Sequence, residues 1–134
     1  MASIQRDIEV DAPIARVWDA LSDVGRIHER LVPGFVADCR MEGNVRVVTF
    51  GNGHTVREPI LDVDPQRHRV AWAAIGEPFT HYNASVQALE SAPARTRLVW
   101  IADLLPDDAR AQVDAMIVQG LETMKRTLER DARA

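Results

Sequence analysis

Glu58 is the residue whose type and setting most directly suggest chemistry. It lies in the segment HTVREPILDVD, which runs from His54 to Asp64 and has the composition of a β-strand. Alternation places Glu58 on one face with Val56 and Ile60, while the other face also mixes charged and apolar residues. An ionised carboxylate among apolar side chains is costly unless it is paired or hydrogen-bonded, and burial raises its pKa in a way that suits proton transfer. The alternative is an ordinary strand glutamate that faces solvent or pairs with an arginine, and the local pattern leaves both open.

Tyr82, Trp72, Trp100 and Gly120 are further candidates for contact with a small molecule. A tyrosine hydroxyl both donates and accepts hydrogen bonds, so Tyr82 could orient a carbonyl group or act as a weak acid. The two tryptophans could stack on an aromatic ligand, or they could simply belong to the core. Glycine within a helix costs about 1 kcal/mol relative to alanine, so Gly120 either opens room for a ligand or allows close packing against the sheet.

The sequence contains none of the common motifs that hold a metal ion or a cofactor. The four histidines lack the spacing of a metal site, and no nucleophile elbow, phosphate-binding glycine loop or CxxC pair is present. Cys39 is the single cysteine, and a lone buried cysteine is usually inert. These patterns predict no metal and no other cofactor.

The composition indicates one soluble domain that spans residues 1–134. Hydrophobic residues make up 46% of the chain and charged residues 27%. The net charge is −4 and the arginines are scattered, so we do not expect a nucleic-acid partner. No apolar run approaches the roughly 20 residues of a membrane span, and no membrane insertion is expected. The charged N-terminal segment lacks an export signal and the chain has one cysteine, which together predict a cytoplasmic protein.

Hydrophobic periodicity predicts an α+β domain. A strand over residues 3–10 precedes a helix that starts at Pro13 and a second short helix that ends before Pro33-Gly34. Alternating segments separated by tight turns predict strands only from Phe35 to Asp103. A helix then follows from 106 to about 131, with an apolar stripe at helical spacing. About seven antiparallel strands need one face covered, so the sheet must curve around this long C-terminal helix.

Three segments of the sequence together form a recognisable pattern. They are IEVDAPIARVWDALSD at 8–23, GNVRVVTFGNGHTVREPILDVDPQRHRVAWAAIG at 43–76 and TRLVW at 96–100. Together they resemble the helix-grip fold of the START-like (SRPBCC) superfamily, which includes the birch-pollen allergen, polyketide cyclase/dehydrase-like proteins and plant abscisic-acid receptors. The first segment is similar to the family's opening strand and helix, the second is similar to the central hairpins of the receptors, and the third precedes the closing helix. The resemblance covers nearly the whole chain.

The resemblance implies an internal cavity with Glu58 in its wall. The other positions that it implies as lining are Phe35, Val47, Trp72, Tyr82, Met116 and Gly120. Residues 50–54 and 75–80 match flexible flaps over the cavity mouth. Pro33 stands where the receptors place a lysine that pairs with the hormone carboxylate, and the 76–80 loop is shorter, so abscisic-acid sensing is not expected.

Three functions are compatible with this reading. The first is a cofactor-free protein that binds a small, largely apolar molecule, such as an aromatic or polyketide-like compound, in the cavity. The second is a polyketide cyclase or dehydratase with Glu58 and Tyr82 as catalytic acid–base groups, which requires at least two convergent polar groups in the cavity. The third is a protein-interaction module that acts through its flaps or as a homodimer and whose filled interior holds no ligand cavity.

Overall fold

A seven-stranded antiparallel sheet forms most of the molecule in the computed structural model, which describes residues 1–134. The elements are β1 (Ala2–Val10), α1 (Ile14–Leu21), α2 (Ile27–Arg30), β2 (Val36–Glu42), β3 (Val45–Phe50), β4 (Thr55–Asp64), β5 (Arg69–Ala73), β6 (His81–Ala92), β7 (Arg95–Leu105) and α3 (Arg110–Arg133). The strand order is β1-β7-β6-β5-β4-β3-β2, so every strand from β2 to β7 pairs with its neighbour in sequence. The predicted α+β helix-grip fold is confirmed.

The long C-terminal helix covers one face of the sheet. It was expected from residue 106, but a 3-10 turn at Asp107–Ala109 comes first and α3 begins at Arg110. The 24 residues of α3 span about 36 Å at 1.5 Å per residue. Its buried residues follow the predicted stripe and include Val113, Ile117, Leu121 and Leu128. They pack across β1 and β7, and this contact closes one side of the core.

The two short helices lie between β1 and β2 in the chain. Pro13 precedes α1, where its fixed φ is compatible with a helix start. The second helix is shorter than predicted, because the residues before Ile27 form a turn in which the Arg26 amide donates to the carbonyl oxygen of Asp23. Ile27 and Leu31 are nevertheless buried, as their spacing predicts. Gly34 ends this region with a φ of +87°, a conformation that glycine adopts without steric cost.

The β3–β4 hairpin fixes which side chains face the interior. Its register places Arg46 opposite Glu58 and Val48 opposite Val56. A bulge follows Ile60, and Leu61 beyond it is 52% exposed. The inward face of β4 therefore carries Val56 and Glu58, and the uneven alternation of the segment reflects both this bulge and the inward carboxylate. No helix of the structure combines the length and apolar character needed to cross a membrane.

Candidate functional site

A cavity of about 650 Å³ lies between the concave face of the sheet and α3. Twenty of its 29 lining residues are hydrophobic. The lining residues that are also exposed mark the mouth: Gly34, Gly51, Asn52, His54, Pro78, Gln112, Ala115 and Gln119. They belong to the loop before β2, the two predicted flap segments and the first half of α3. The cavity therefore opens between these loops and the helix.

A buried ion pair lies in the wall of the cavity. The Nε and Nη2 atoms of Arg46 each lie 2.9 Å from Oε1 of Glu58. Only 5% of the Arg46 side chain and 10% of the Glu58 side chain are exposed. Nη1 of Arg46 also donates to the carbonyl oxygen of Val24 at 3.3 Å, and the guanidinium carbon lies 5.2 Å from the ring centroid of Trp72. Hydrogen bonds and a cation–π contact thus hold the guanidinium against the carboxylate.

Two opposing effects act on the carboxyl group of Glu58. Burial raises its pKa, because removal from water disfavours the charged form, while the Arg46 charge and hydrogen bonds lower it. Burial is the larger effect, so the pKa lies above its ordinary value. Oε1 receives the hydrogen bonds from Arg46, whereas Oε2 makes none within the chain and is not sealed from the cavity. The second oxygen can therefore accept a hydrogen bond or a proton from a bound molecule.

Tyr82 contributes the third polar group in the buried part of the cavity wall. Its hydroxyl makes no hydrogen bond within the chain, and its ring contacts Phe79 with a centroid distance of 4.9 Å. Burial raises the pKa of Tyr82 above its ordinary value, and the charge of Glu58 raises it further. The hydroxyl consequently stays protonated at neutral pH and can act as a hydrogen-bond donor.

Aromatic rings form a second part of the cavity wall. Trp72 and Trp100 meet edge to face, with centroids 5.7 Å apart and planes at 67°. Phe35 and Phe50 meet in the same way at 5.5 Å. The indole Nε1 of Trp100 is buried without an acceptor in the chain. These rings provide flat apolar surfaces of the kind that bind conjugated molecules.

Six of the eight predicted lining residues lie in the wall. They are Phe35, Glu58, Trp72, Tyr82, Trp100 and Met116. Their role in binding or catalysis stays a prediction. The structure brings together the two candidate acid–base residues, Glu58 and Tyr82, on one cavity.

Val47 and Gly120 do not line the cavity, and both predictions of position are wrong. Val47 is buried on the other face of β3, because Arg46 and Val48 face inward. Gly120 lies beneath Trp100, where an added β-carbon would come within 2.8 Å of Cζ3 of the indole. Gly120 therefore permits close packing of α3 on the sheet rather than opening space for a ligand.

Arg46 is the charged residue of the cavity wall that sequence reasoning missed. The signal was present in the turn GNG at 51–53, because an antiparallel hairpin centred on Asn52 pairs Arg46 with Glu58. Directly paired residues of an antiparallel ladder share a face, so an inward Glu58 requires an inward Arg46. An inward Val47 is incompatible with that register.

Comparison with known proteins gives the family. Residues 1–129 match the sequence profile of the family described as polyketide cyclase/dehydrase and lipid transport. A search among curated proteins finds no match. In fold, the chain is similar to the Zhui aromatase/cyclase from a Streptomyces species, with a TM-score of 0.79 and 23% identity over 99% of this chain and 96% of that one.

Two further solved structures show the same architecture. One is a START superfamily protein from Mycobacterium smegmatis, with a TM-score of 0.74 and 14% identity over 98% of this chain and 97% of that one. The other is norcoclaurine synthase from Thalictrum flavum in complex with dopamine and hydroxybenzaldehyde, with a TM-score of 0.72 and 16% identity over 96% and 84% of the two chains. Similarity at these identities establishes the fold. Because the family profile spans nearly the whole chain, the chain belongs to the polyketide cyclase/dehydrase and lipid transport family.

Proposed function

We propose that the chain binds a small, largely apolar molecule, aromatic or polyketide-like in shape, inside the cavity. The observation that carries this proposal is the cavity of about 650 Å³ with a mainly hydrophobic wall. This volume falls within the range of about 300–1,000 Å³ that is typical of small-molecule sites. A few polar groups set in an apolar wall are the usual means of orienting a ligand. The same cavity argues against a protein-interaction module with a filled core.

Two neighbouring alanines offer a matched test of this proposal. Ala74 lines the cavity, whereas Ala73 ends β5 with its side chain on the opposite face. We expect Nile red, a neutral fluorescent dye, to bind the wild-type chain saturably, with one site per chain. Phenylalanine at position 74 takes up cavity space, so Ala74→Phe should weaken dye binding by about tenfold or more, while Ala73→Phe should not.

Fluorescence titration with thermal unfolding as a check on folding decides the outcome. Absence of saturable binding to the wild-type chain would overturn the proposal. Equal loss in both folded variants would place the dye outside the cavity and would overturn it as well.

A second candidate function is cyclisation or dehydration of the bound molecule. Glu58 and Tyr82 both reach the cavity, which meets the requirement for two convergent polar groups. In this function Oε2 of Glu58 removes a proton from a carbon between two carbonyl groups, and the resulting enolate attacks a further carbonyl carbon of the same molecule. Tyr82 donates a hydrogen bond to the oxygen on which negative charge develops, and the protonated Glu58 gives its proton to the alkoxide formed in this attack. The ionised Glu58 then removes the second proton of the same carbon, a carbon–carbon double bond forms, and the departing hydroxide takes that proton from Glu58 to leave as water. Arg46 acts as a positioning residue, since it holds the Oε1 side of the carboxylate.

The second candidate is tested with a short poly-β-ketone thioester as substrate. If the chain is an enzyme, Glu58→Gln should keep affinity within a few-fold and lower turnover by about 10²–10⁴, the usual contribution of a general acid or base. Product formation is followed by mass spectrometry as loss of one water. A rate with the wild-type chain equal to the rate in buffer would rule out the catalytic function and leave the binding proposal intact.

A further inference from the structure

The charges in the cavity wall cancel each other. Arg46 and Glu58 are the only lysine, arginine, aspartate or glutamate residues in the wall. The carboxylate and the guanidinium are in direct contact at 2.9 Å, so the pair presents no net charge to a ligand. His54 is the only other ionisable base in the wall, and it lies exposed at the mouth. A bound molecule that carried a charge would therefore find no counter-charge inside.

The polar groups that lack partners and are not sealed from the cavity favour a hydroxyl. Oε2 of Glu58 is an acceptor, and the protonated hydroxyl of Tyr82 is both a donor and an acceptor. Both side chains line the same cavity, and Ala74 connects their strands, because its amide donates to the carbonyl oxygen of Tyr82 and its neighbour Ile75 pairs with Arg57. A hydroxyl group can donate to Oε2 and accept from Tyr82 at the same time. A carboxylate can accept from Tyr82 but has nothing to donate to Oε2.

We propose that the Arg46–Glu58–Tyr82 end of the cavity binds a neutral hydroxyl group, such as a phenol, on an otherwise apolar ligand and discriminates against a carboxylate. The proposal rests on the proposed function, since it concerns the ligand of the same cavity. A carboxylate would add a third charge beside Glu58, and removal of that charge from water would have no compensating cation. A phenol loses only hydrogen bonds to water and regains them at Oε2 and at the Tyr82 hydroxyl.

Three molecules with one ring system test the proposal on the wild-type chain. Naphthalene has no polar substituent, 2-naphthol has a neutral hydroxyl and 2-naphthoate has an anionic carboxylate at pH 7. We expect 2-naphthol to bind about tenfold or more tightly than naphthalene, because hydrogen bonds to a charged acceptor are among the stronger ones. 2-Naphthoate should bind more weakly than either. The measurement is displacement of Nile red or calorimetry.

Failure of this proposal is distinguishable from failure of the proposed function. If none of the three ring compounds and no Nile red bind, the cavity takes no ligand and the proposed function falls. If naphthalene and 2-naphthol bind equally, the cavity binds ligands, but Glu58 and Tyr82 do not recognise the hydroxyl. If 2-naphthoate binds tightest, the Arg46 charge is uncompensated and the cavity prefers a carboxylate, which overturns the proposal.

Glu58→Gln provides a second, independent test, because it removes the negative charge and leaves the Arg46 charge free. The variant should lose about tenfold or more of its preference for 2-naphthol over naphthalene and should gain affinity for 2-naphthoate. Glu42→Gln is the matched control, since Glu42 is an exposed glutamate that pairs with Arg57 outside the cavity. An unchanged order of affinities in folded Glu58→Gln would overturn the proposal. If this variant does not fold, the comparison of the three compounds on the wild-type chain still decides.

Discussion

Replacement of Arg46 by methionine is the sharpest test of the buried ion pair. Methionine keeps an unbranched, flexible side chain and removes the charge. Because the two side chains are only 5% and 10% exposed, the change leaves Glu58 buried without a counter-charge. Loss of one partner of a buried pair typically costs about 3–5 kcal/mol. The hydrogen bond to the Val24 carbonyl and the contact with Trp72 disappear as well. We expect Tm to fall by about 10–15 °C, at about 3 °C per kcal/mol for a chain of this size.

The loss of stability caused by Arg46→Met should change with pH in a direction that identifies Glu58 as its cause. The pKa of Glu58 is already above its ordinary value in the folded chain, and removal of Arg46 raises it further. A carboxyl whose folded pKa exceeds its unfolded pKa binds more protons in the folded state, so stability falls as pH rises through that window. The Arg46→Met penalty should therefore be largest near pH 8 and should shrink as pH falls towards the ordinary glutamate range near pH 4.5. Other carboxyl groups, such as Glu129, have lowered pKa values, so their contribution to folding stability is lost in acid. This loss is the same in wild type and variant and cancels in the comparison.

Thermal unfolding of wild type and variant at matched pH values measures this difference. Arg57→Met is the matched control, because Arg57 lies beside Glu58 on β4 yet pairs at the surface with Glu42. Its Tm should stay within about 3 °C of wild type at every pH, as expected for an exposed pair. A penalty for Arg46→Met that equals that of Arg57→Met, or that grows as pH falls, would refute the assignment of a buried, charged Glu58.

Three other changes test the rest of the site. In Gly120→Ala, the added β-carbon would lie 2.8 Å from Cζ3 of Trp100, so the ring must shift. Calorimetry should show a loss of about 1–3 kcal/mol in unfolding free energy, and a titration should show weaker Nile red binding. Wild-type results in both measurements would disprove the close contact. Tyr82→Phe removes a hydroxyl that has no partner in the chain, so unfolding stability should stay equal or rise while 2-naphthol binding weakens; an unchanged 2-naphthol affinity would show that the hydroxyl does not contact the ligand. A chain that ends at Leu105 lacks α3 and leaves the apolar face of the sheet bare, so it should be insoluble or lack a cooperative unfolding transition; a soluble, cooperatively unfolding product would contradict the assigned role of α3.

Much of the fold follows from the sequence because its elements are local and strongly patterned. The apolar stripe of α3 repeats over 24 residues, and turns such as GNG at 51–53 separate the strands clearly. The errors lie at boundaries where competing hydrogen bonds decide. The second helix lost its first residues to a turn at Asp23, and the start of α3 became a 3-10 turn after Pro106.

The site was less accessible to sequence reasoning, because its key contacts depend on register and on contact across layers. A shift of one residue in β3 exchanges Val47 for Arg46 in the cavity wall, and alternation alone cannot choose between them. Gly120 was compatible with open space or with close packing, and only the position of Trp100 decides in favour of packing. Tertiary contacts of this kind leave no periodic trace in the sequence.

The Arg46–Glu58 pair also explains why two segments of the chain have poor alternation. Glu58 interrupts the apolar face of β4, and Arg46 interrupts the valines of β3. In the fold these two irregularities face each other, so each satisfies the other. Two well-packed apolar side chains at these positions would stabilise the fold as well or better, since burial of a charged pair often costs as much as the pair returns. Stability therefore does not account for the pair, whereas the proposed recognition of a hydroxyl would. Under that proposal, the oriented oxygen of Glu58 selects a hydroxyl because Glu58 is the only carboxylate in the wall that can accept its hydrogen bond.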